Sequence, residues 1–71
     1  MSTTVKRTKV KGYRVMLGKT QQDMADMFGI TKQAYSAKER GISRFSDEEM
    51  ITIKNMLLQL FPDITIDRIF Y

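Results

Sequence analysis

The sequence predicts an all-α fold, a compact bundle of four to five short helices. Thr20, Thr31 and Ser46 belong to the residue types that cap helix N-termini, and apolar residues follow each of them at helical spacing. Gly29 and Gly41 stand where two of these helices would end, because glycine readily adopts the left-handed conformation that closes a helix. Capping residues and glycines therefore divide the chain into short helical segments.

Composition narrows the classes of function. The 71 residues suffice for one small domain, which we expect to span residues 1–71. The chain has no Cys and no His, so disulfides, thiolate chemistry, histidine metal sites and histidine bases are excluded. We expect neither an enzyme nor a cofactor, a metal site or a small-molecule substrate. The sequence has no apolar run long enough for a bilayer and shows no signal-peptide pattern, so we expect a cytoplasmic protein with no membrane partner.

Charge is distributed unevenly along the chain. Residues 1–44 carry ten basic and three acidic side chains, a net charge of +7. Residues 45–71 carry two basic and five acidic side chains, a net charge of −3. A basic half in front of an acidic half is typical of a protein with one face for nucleic acid, although ordinary solvated surface would also explain it.

The first helix follows a basic N-terminus. We expect residues 1–5 to be flexible, and the basic residues of segment 6–11 either begin the helix or form an arm. Val10, Tyr13, Arg14 and Leu17 share one helical face, and the helix is expected to end near Leu17. An arginine in an apolar stripe requires a partner, because an unpaired buried charge is costly.

The second and third helices lie close together in segment 20–41. Thr20 caps the second helix, and Gly29 ends it. Thr31 caps the third, which runs from Lys32 to about Arg40. Two short helices joined by a turn of three or four residues form a helix-turn-helix.

The C-terminal third predicts one long helix and a short one. Ser46 and Glu49 form a capping box, and the fourth helix is expected to reach about Leu60 before Pro62 closes it. Segment 64–71 permits a short helix capped by Thr65 or a strand, and we favour the helix because a lone strand has no partner. The fourth helix carries more apolar residues than one core-facing stripe requires, which indicates a second apolar contact.

The pattern TQxxxAxxxGI(T/S)xxxYSxxExG resembles the Cro/CI-like (XRE-type) helix-turn-helix family of phage and bacterial regulators. The resemblance covers residues 11–71, and its specific positions are Gln21, Ala25, Gly29, Ile30, Tyr35, Glu39 and Gly41. It implies a lambda-repressor-like DNA-binding domain. It also implies a structural ion pair between Arg14 and Glu39, which would fasten the first helix to the recognition helix.

The resemblance and the residue types together predict a DNA face. Lys32 and Gln33 lie at the N-terminal end of the recognition helix, where side chains reach base edges. Tyr35 is expected to face inward, although the hydroxyls of Thr31, Tyr35 and Ser36 are candidate phosphate ligands. The full set of predicted DNA-binding residues is Lys19, Gln21, Thr31, Lys32, Gln33, Ser36, Arg40 and Arg44. The alternatives are that Gln21 only caps its helix and that Lys32 contacts phosphate rather than a base. Arg40 and Arg44 are alternatively ordinary surface charges.

Three functions are compatible with this resemblance. The first is a sequence-specific double-stranded DNA-binding repressor of the Cro type that acts as a dimer. The second is a phage modulator of repression, or antirepressor, that forms a heterodimer with a repressor protein through an apolar C-terminal surface. The candidate interface residues are Leu57, Leu58, Phe61, Ile69 and Phe70. An antitoxin-like regulator is the third. In the first two cases the resemblance implies a lysis–lysogeny switch inside a bacterial host.

Two positions depart from the family pattern. Lys38 stands where the family typically has an apolar residue that packs into the core, and Lys19 occupies a position that is often leucine. The aliphatic stem of Lys38 can still cover apolar surface while its ammonium group reaches outward.

Overall fold

The computed structural model describes residues 9–71, and within this range it is built from five α-helices without a strand. The helices are α1 (Val10–Met16), α2 (Gln21–Phe28), α3 (Lys32–Glu39), α4 (Asp47–Leu57) and α5 (Ile66–Phe70). The predicted all-α bundle is confirmed. The predictions for residues 1–5 and for the basic positions 6 and 7 lie outside the described residues.

Side-chain caps fix the beginnings of the helices. Thr20 Oγ1 accepts a hydrogen bond from the backbone N–H of Asp23 at 3.0 Å, and the Asp23 carboxylate accepts the Thr20 N–H at 2.9 Å. Ser46 and Glu49 form the same reciprocal box at 3.1 and 2.9 Å. Each box satisfies backbone donors that have no partner inside the helix. Short helices therefore begin at defined residues.

The turn between α2 and α3 depends on Gly29. This residue has a φ of 69°, a left-handed conformation that favours glycine. Its N–H bonds to the Asp26 carbonyl at 3.2 Å, and the N–H of Ile30 bonds to the Ala25 carbonyl at 3.0 Å. These two bonds form a Schellman motif, which ends α2 and lets Thr31 cap α3 only two residues later. Backbone conformation and backbone hydrogen bonds thus define the turn of the helix-turn-helix.

The core is formed by residues from all five helices and the loops. Its buried members are Val10, Met24, Ala25, Tyr35, Phe45, Ile53, Leu57, Ile64 and Ile69. Tyr35 is the largest fully buried side chain among the described residues, which confirms the prediction that it faces inward. It stacks on Phe28 with ring centroids 6.3 Å apart and meets Phe45 edge-on at 6.1 Å. Phe45 in turn contacts Phe70 at 5.3 Å, so an aromatic chain connects α2, α3 and α5.

Helix α4 is shorter than predicted. It ends at Leu57 rather than near Leu60, and the N–H groups of Leu60 and Phe61 both bond to the Leu57 carbonyl, at 3.0 and 2.8 Å. Phe61 precedes Pro62, whose ring disfavours helical geometry in the residue before it. The chain therefore leaves the helix in a turn. The predicted tail helix is present as α5, where Thr65 accepts the Arg68 N–H at 3.2 Å.

Candidate nucleic-acid interface

The N-terminal end of α3 projects its side chains into solvent. Lys32, Gln33 and Ala34 are exposed, Ser36 is half-buried, and Tyr35 is turned into the core. Within residues 9–71, the side chains of Lys32 and Gln33 make no hydrogen bond, ion pair or ring contact. Their polar groups are therefore available to an external partner.

The C-terminal end of α3 is held by a buried ion pair. Arg14 Nε lies 2.6 Å from Glu39 Oε2, and Arg14 Nη2 lies 3.3 Å from Glu39 Oε1. Arg14 Nη1 donates a further hydrogen bond to the Lys19 carbonyl at 2.9 Å. Arg14 is 8% exposed and Glu39 is 4% exposed. The pair expected between these residues is thus present, and its two-pronged geometry is the strong form of such contacts.

Glu39 also connects this pair to α2. Gln21, the first residue of α2, donates from Nε2 to Glu39 Oε1 at 3.1 Å. A single carboxylate consequently accepts hydrogen bonds from α1 and α2 while it belongs to α3. Glu39 and Arg14 fix the position of the Gln21 side chain relative to α3.

The surroundings of Glu39 favour its ionised form. Burial acts to raise the pKa of this carboxyl, but the hydrogen bonds it accepts, first of all from Arg14, outweigh burial and lower the pKa. The hydrogen bond to Glu39 likewise raises the pKa of Arg14, against the effect of desolvation. Both groups therefore remain charged at neutral pH.

The Tyr35 hydroxyl is not available to a phosphate. It is buried, and no donor or acceptor among the described residues reaches full hydrogen-bond geometry with it. Burial, followed by the neighbouring Glu39 carboxylate, raises the pKa of Tyr35, so the phenol stays protonated. The expectation that Tyr35 serves as a phosphate ligand is therefore wrong, whereas Thr31 remains exposed.

A basic cleft lies between the first turn of α2 and the beginning of α3. It has a volume of about 550 Å³ and is lined by Lys11, Arg14, Lys19, Thr20, Gln21, Gln22 and Lys32. No carboxylate residue lines this cleft, and the backbone N–H groups at the start of α2 lie beside it, which suits an anion. The cleft brings together Lys19, Gln21 and Lys32 of the predicted set.

The cleft also includes residues that the predicted set lacks. Lys11 belongs to the basic N-terminal segment, and its position one helical turn before Arg14 places it near that side chain. The second is Gln22, whose side chain donates a hydrogen bond to the Asp26 carboxylate at 2.8 Å within α2. Nothing in the sequence around Gln22 indicates that it lines the cleft.

Arg40 and Arg44 lie at the other end of α3. Both are exposed, Arg40 as the C-cap of α3 and Arg44 in the loop 40–46 that leads to α4. The eight residues of α3 span roughly 12 Å at 1.5 Å per residue. Apart from Ser36 in the middle of α3, the predicted DNA-binding residues therefore form two groups, one at each end of this helix.

Part of the predicted apolar interface is buried. Leu57 and Ile69 have no exposed surface, because they face the core from α4 and α5, so their assignment to an interface is wrong. Phe70 is half-buried and contacts Phe45. Leu58 and Phe61 remain 36% exposed. A cavity of about 320 Å³ lies beside Phe61 and is lined by Tyr13, Leu60, Phe61, Pro62, Asp63, Ile64 and Arg68.

Other kinds of site find little support in the part of the chain that the structure describes. Residues 9–71 contain no group of three or more Asp or Glu side chains that could hold a metal ion. In the same range, no helix has the length and apolarity needed to cross a bilayer.

Comparison with known proteins identifies the family. A family model described as Helix-turn-helix matches residues 10–57, which include α1 to α4. The chain belongs to this family, the XRE-type or Cro/CI-like helix-turn-helix proteins. These are DNA-binding regulators and are not typically enzymes. The comparisons with curated proteins and with solved structures found no match to the chain.

Proposed function

We propose that this protein is a sequence-specific transcription regulator that binds double-stranded DNA, a Cro-like repressor that acts as a dimer. One observation carries the proposal. The side chains at the N-terminal end of α3 are exposed and unengaged by residues 9–71, while the C-terminal end is fastened to α1 and α2 through Glu39. A rigidly held helix with unoccupied polar groups at its leading end suits insertion into the major groove.

Base recognition is assigned to the leading end of α3. Gln33 offers an amide that can pair with adenine through two hydrogen bonds, and Lys32 can donate to guanine O6 and N7. Ser36, one turn later, can contact a base or a phosphate. Ala34 and Ala37 contribute no polar group, so direct contacts are few and DNA shape supplies part of the preference.

Phosphate contacts are assigned to both ends of α3. Lys19, Gln21 and Thr31 lie around the basic cleft or beside it, and Arg40 and Arg44 lie at the far end of α3. Two separated groups of polar and basic side chains can contact the DNA backbone on both sides of a groove. Such contacts orient the protein on the duplex, whereas the base contacts select the sequence.

Dimerisation would compensate for the small number of base contacts in one copy. Two linked copies on a palindrome gain affinity, because the second half-site is bound at high effective concentration. We assign the contact between copies to the exposed apolar residues Leu58 and Phe61.

A modulator of repression is the second candidate. Three exposed apolar side chains after the end of α4, those of Leu58, Leu60 and Phe61, favour this candidate. Leu60 and Phe61 also line the cavity of about 320 Å³. In that case the same surface would bind a repressor protein, and the isolated protein would bind DNA without sequence preference.

The test is binding of the purified protein to the DNA that flanks its own gene. Affinity is measured at several salt concentrations against scrambled duplex of equal length and composition. A repressor binds the flanking DNA preferentially and loses affinity steeply as salt increases. Equal, weak affinity for both duplexes would contradict the proposal and favour the modulator. Leu58→Glu then distinguishes self-association from partner binding by sedimentation, with Gln59→Glu as a neighbouring exposed control.

A further inference from the structure

The ammonium group of Lys38, on α3, makes several contacts. Lys38 Nζ donates to the Arg44 carbonyl at 2.9 Å and lies 3.1 Å from Glu49 Oε1. It also lies 5.9 Å from the centroid of the Phe45 ring, within cation–π range. The side chains of Lys38 and Glu49 are each only 16% exposed. The charge is therefore held in place rather than directed into solvent.

The partner carboxylate belongs to the beginning of α4. Glu49 Oε1 also accepts the backbone N–H of Ser46 at 2.9 Å as part of the capping box. One ammonium group therefore connects the C-terminal part of α3 to the first turn of α4. The segment that joins α3 to α4 is the loop 40–46.

The loop depends on Lys38 beyond its first residues. Backbone N–H groups of Gly41, Ile42 and Ser43 return to carbonyls of α3. After Ser43, the contact that holds the Arg44 carbonyl comes from the Lys38 ammonium group. The direction of the exposed Arg44 side chain follows from the orientation of its own backbone. Lys38 thus fixes the backbone at Arg44.

We propose that Lys38 is a positioning residue for DNA binding, which holds loop 40–46 so that Arg44 is presented to a DNA phosphate beside the end of α3. This inference rests on the proposed function, since it names a determinant of the same interface. The observations that carry it are the three contacts of one ammonium group and its low exposure.

The first test is a double-mutant cycle on the duplex that the wild-type protein prefers. Lys38→Met keeps an unbranched stem and removes the ammonium group, and Arg44→Ala removes the presented side chain. We expect each to weaken binding by about three- to tenfold, uniformly across sequences. If Lys38 acts through Arg44, the double variant binds no more weakly than Arg44→Ala alone. Independent losses that multiply, or full affinity in Lys38→Met, would overturn the proposal.

Glu49→Gln separates the proposed role from simple charge. This variant makes the protein more positive, so electrostatics alone predicts tighter binding to DNA. Weakening of the Lys38 contact predicts looser binding instead. Glu48→Gln, which makes the same change in charge at an exposed position in the first turn of α4, serves as the charge control. Tighter binding by Glu49→Gln would contradict the positioning role, and this variant tests it even if Lys38→Met fails to fold.

A measurement without DNA distinguishes failure of this inference from failure of the proposed function. Amide hydrogen exchange in the free protein reports opening of the loop. We expect faster exchange in segment 41–46 of Lys38→Met and unchanged exchange in α2. Unchanged exchange in the loop would overturn the inference even if the wild-type protein binds DNA. Absence of DNA binding by the wild-type protein would instead refute the proposed function and, with it, the DNA role of Lys38.

Discussion

The two ends of the recognition helix α3 differ in almost every physical respect. At the N-terminal end, Lys32 and Gln33 are exposed and make no side-chain contact within residues 9–71. At the C-terminal end, Glu39 is buried and joined to Arg14 and Gln21, while Lys38 is joined to the loop and to α4. We call the C-terminal end, with Lys38 and Glu39, the held end of α3. The N-terminal end, with Lys32 and Gln33, is the presented end.

Under the proposed function, this difference separates the residues for stability from those for recognition within the eight residues of α3. Contacts at the held end fix the orientation of α3 relative to α1, α2 and α4. The presented end can then vary its side chains with little effect on folding. If recognition is confined to positions that the core does not use, as proposed, such a fold can serve many DNA sequences.

The largest expected effect is at the held end. Glu39→Ala leaves the Arg14 guanidinium buried without its carboxylate, and breaking a buried pair from one side costs about 3–5 kcal/mol. We expect the free energy of unfolding to fall by that amount, measured by urea denaturation. Glu48→Ala, an exposed carboxylate in the first turn of α4, is the matched control. A denaturation curve like that of the wild type would show that the pair does not hold α3.

Acid provides a second way to release the held end. The pKa of Glu39 is lowered in the folded protein, so its ionised form stabilises the fold above the ordinary carboxyl pKa of 4.5. This stabilisation is lost as the pH falls below that value and through the folded-state pKa. Stability measured against pH therefore declines on the acid side, less steeply in Glu39→Gln.

Asp23 contributes to this acid dependence in the same direction. The hydrogen bonds from Thr20, first of all from its backbone, lower the pKa of Asp23. Asp23→Asn identifies that contribution separately. A pH dependence that is identical in the wild type and Glu39→Gln would contradict the assignment to Glu39.

The presented end is expected to respond in the opposite way. In the proposed function, Gln33→Ala removes a contact to a base. It removes no side-chain contact within residues 9–71, so we expect stability to stay within about 0.5 kcal/mol of the wild type. Discrimination at one base pair of each half-site falls by about 1–3 kcal/mol. Competition binding with duplexes substituted at single positions measures this. Equal weakening on every duplex would mean that Gln33 contacts the backbone only.

The smallest expected effect concerns the cap of the presented end. Thr31 Oγ1 accepts the Ala34 N–H at 3.0 Å, and its replacement by alanine costs about 1 kcal/mol. Thermal unfolding of Thr31→Ala measures the loss, and Thr31→Ser, which keeps the hydroxyl, is expected to restore most of it. A loss as large as that of Glu39→Ala would remove the distinction between the two ends.

Local signals in the sequence predicted the elements well. Thr20, Thr31, Ser46 and Thr65 cap helices where expected, because capping depends on the residue and its near neighbours. The fold class could also be predicted from these capping residues and the glycines that end the helices. The partner of Arg14 came from family resemblance, since a contact across 25 positions leaves no local trace.

Features that depend on packing between distant segments could not be predicted. Leu57 and Ile69 looked like interface residues because the apolar excess of α4 and α5 does not reveal which residues face inward. The sequence predicts that the stem of Lys38 covers apolar surface while its ammonium group reaches outward. Only the three-dimensional positions of Glu49 and the Arg44 carbonyl show how this charge is satisfied. The separation of the predicted DNA-binding residues into two groups likewise became apparent only from the position of α3.

The central claim is that the leading end of α3 selects a DNA sequence. Selection from a pool of random duplexes by the purified protein tests it most directly, with the double variant Lys32→Ala/Gln33→Ala in parallel and its fold verified by thermal unfolding. The account predicts one enriched motif for the wild-type protein and no enrichment of that motif by the variant. No enriched motif for the wild-type protein, or the same motif for the variant, would contradict it.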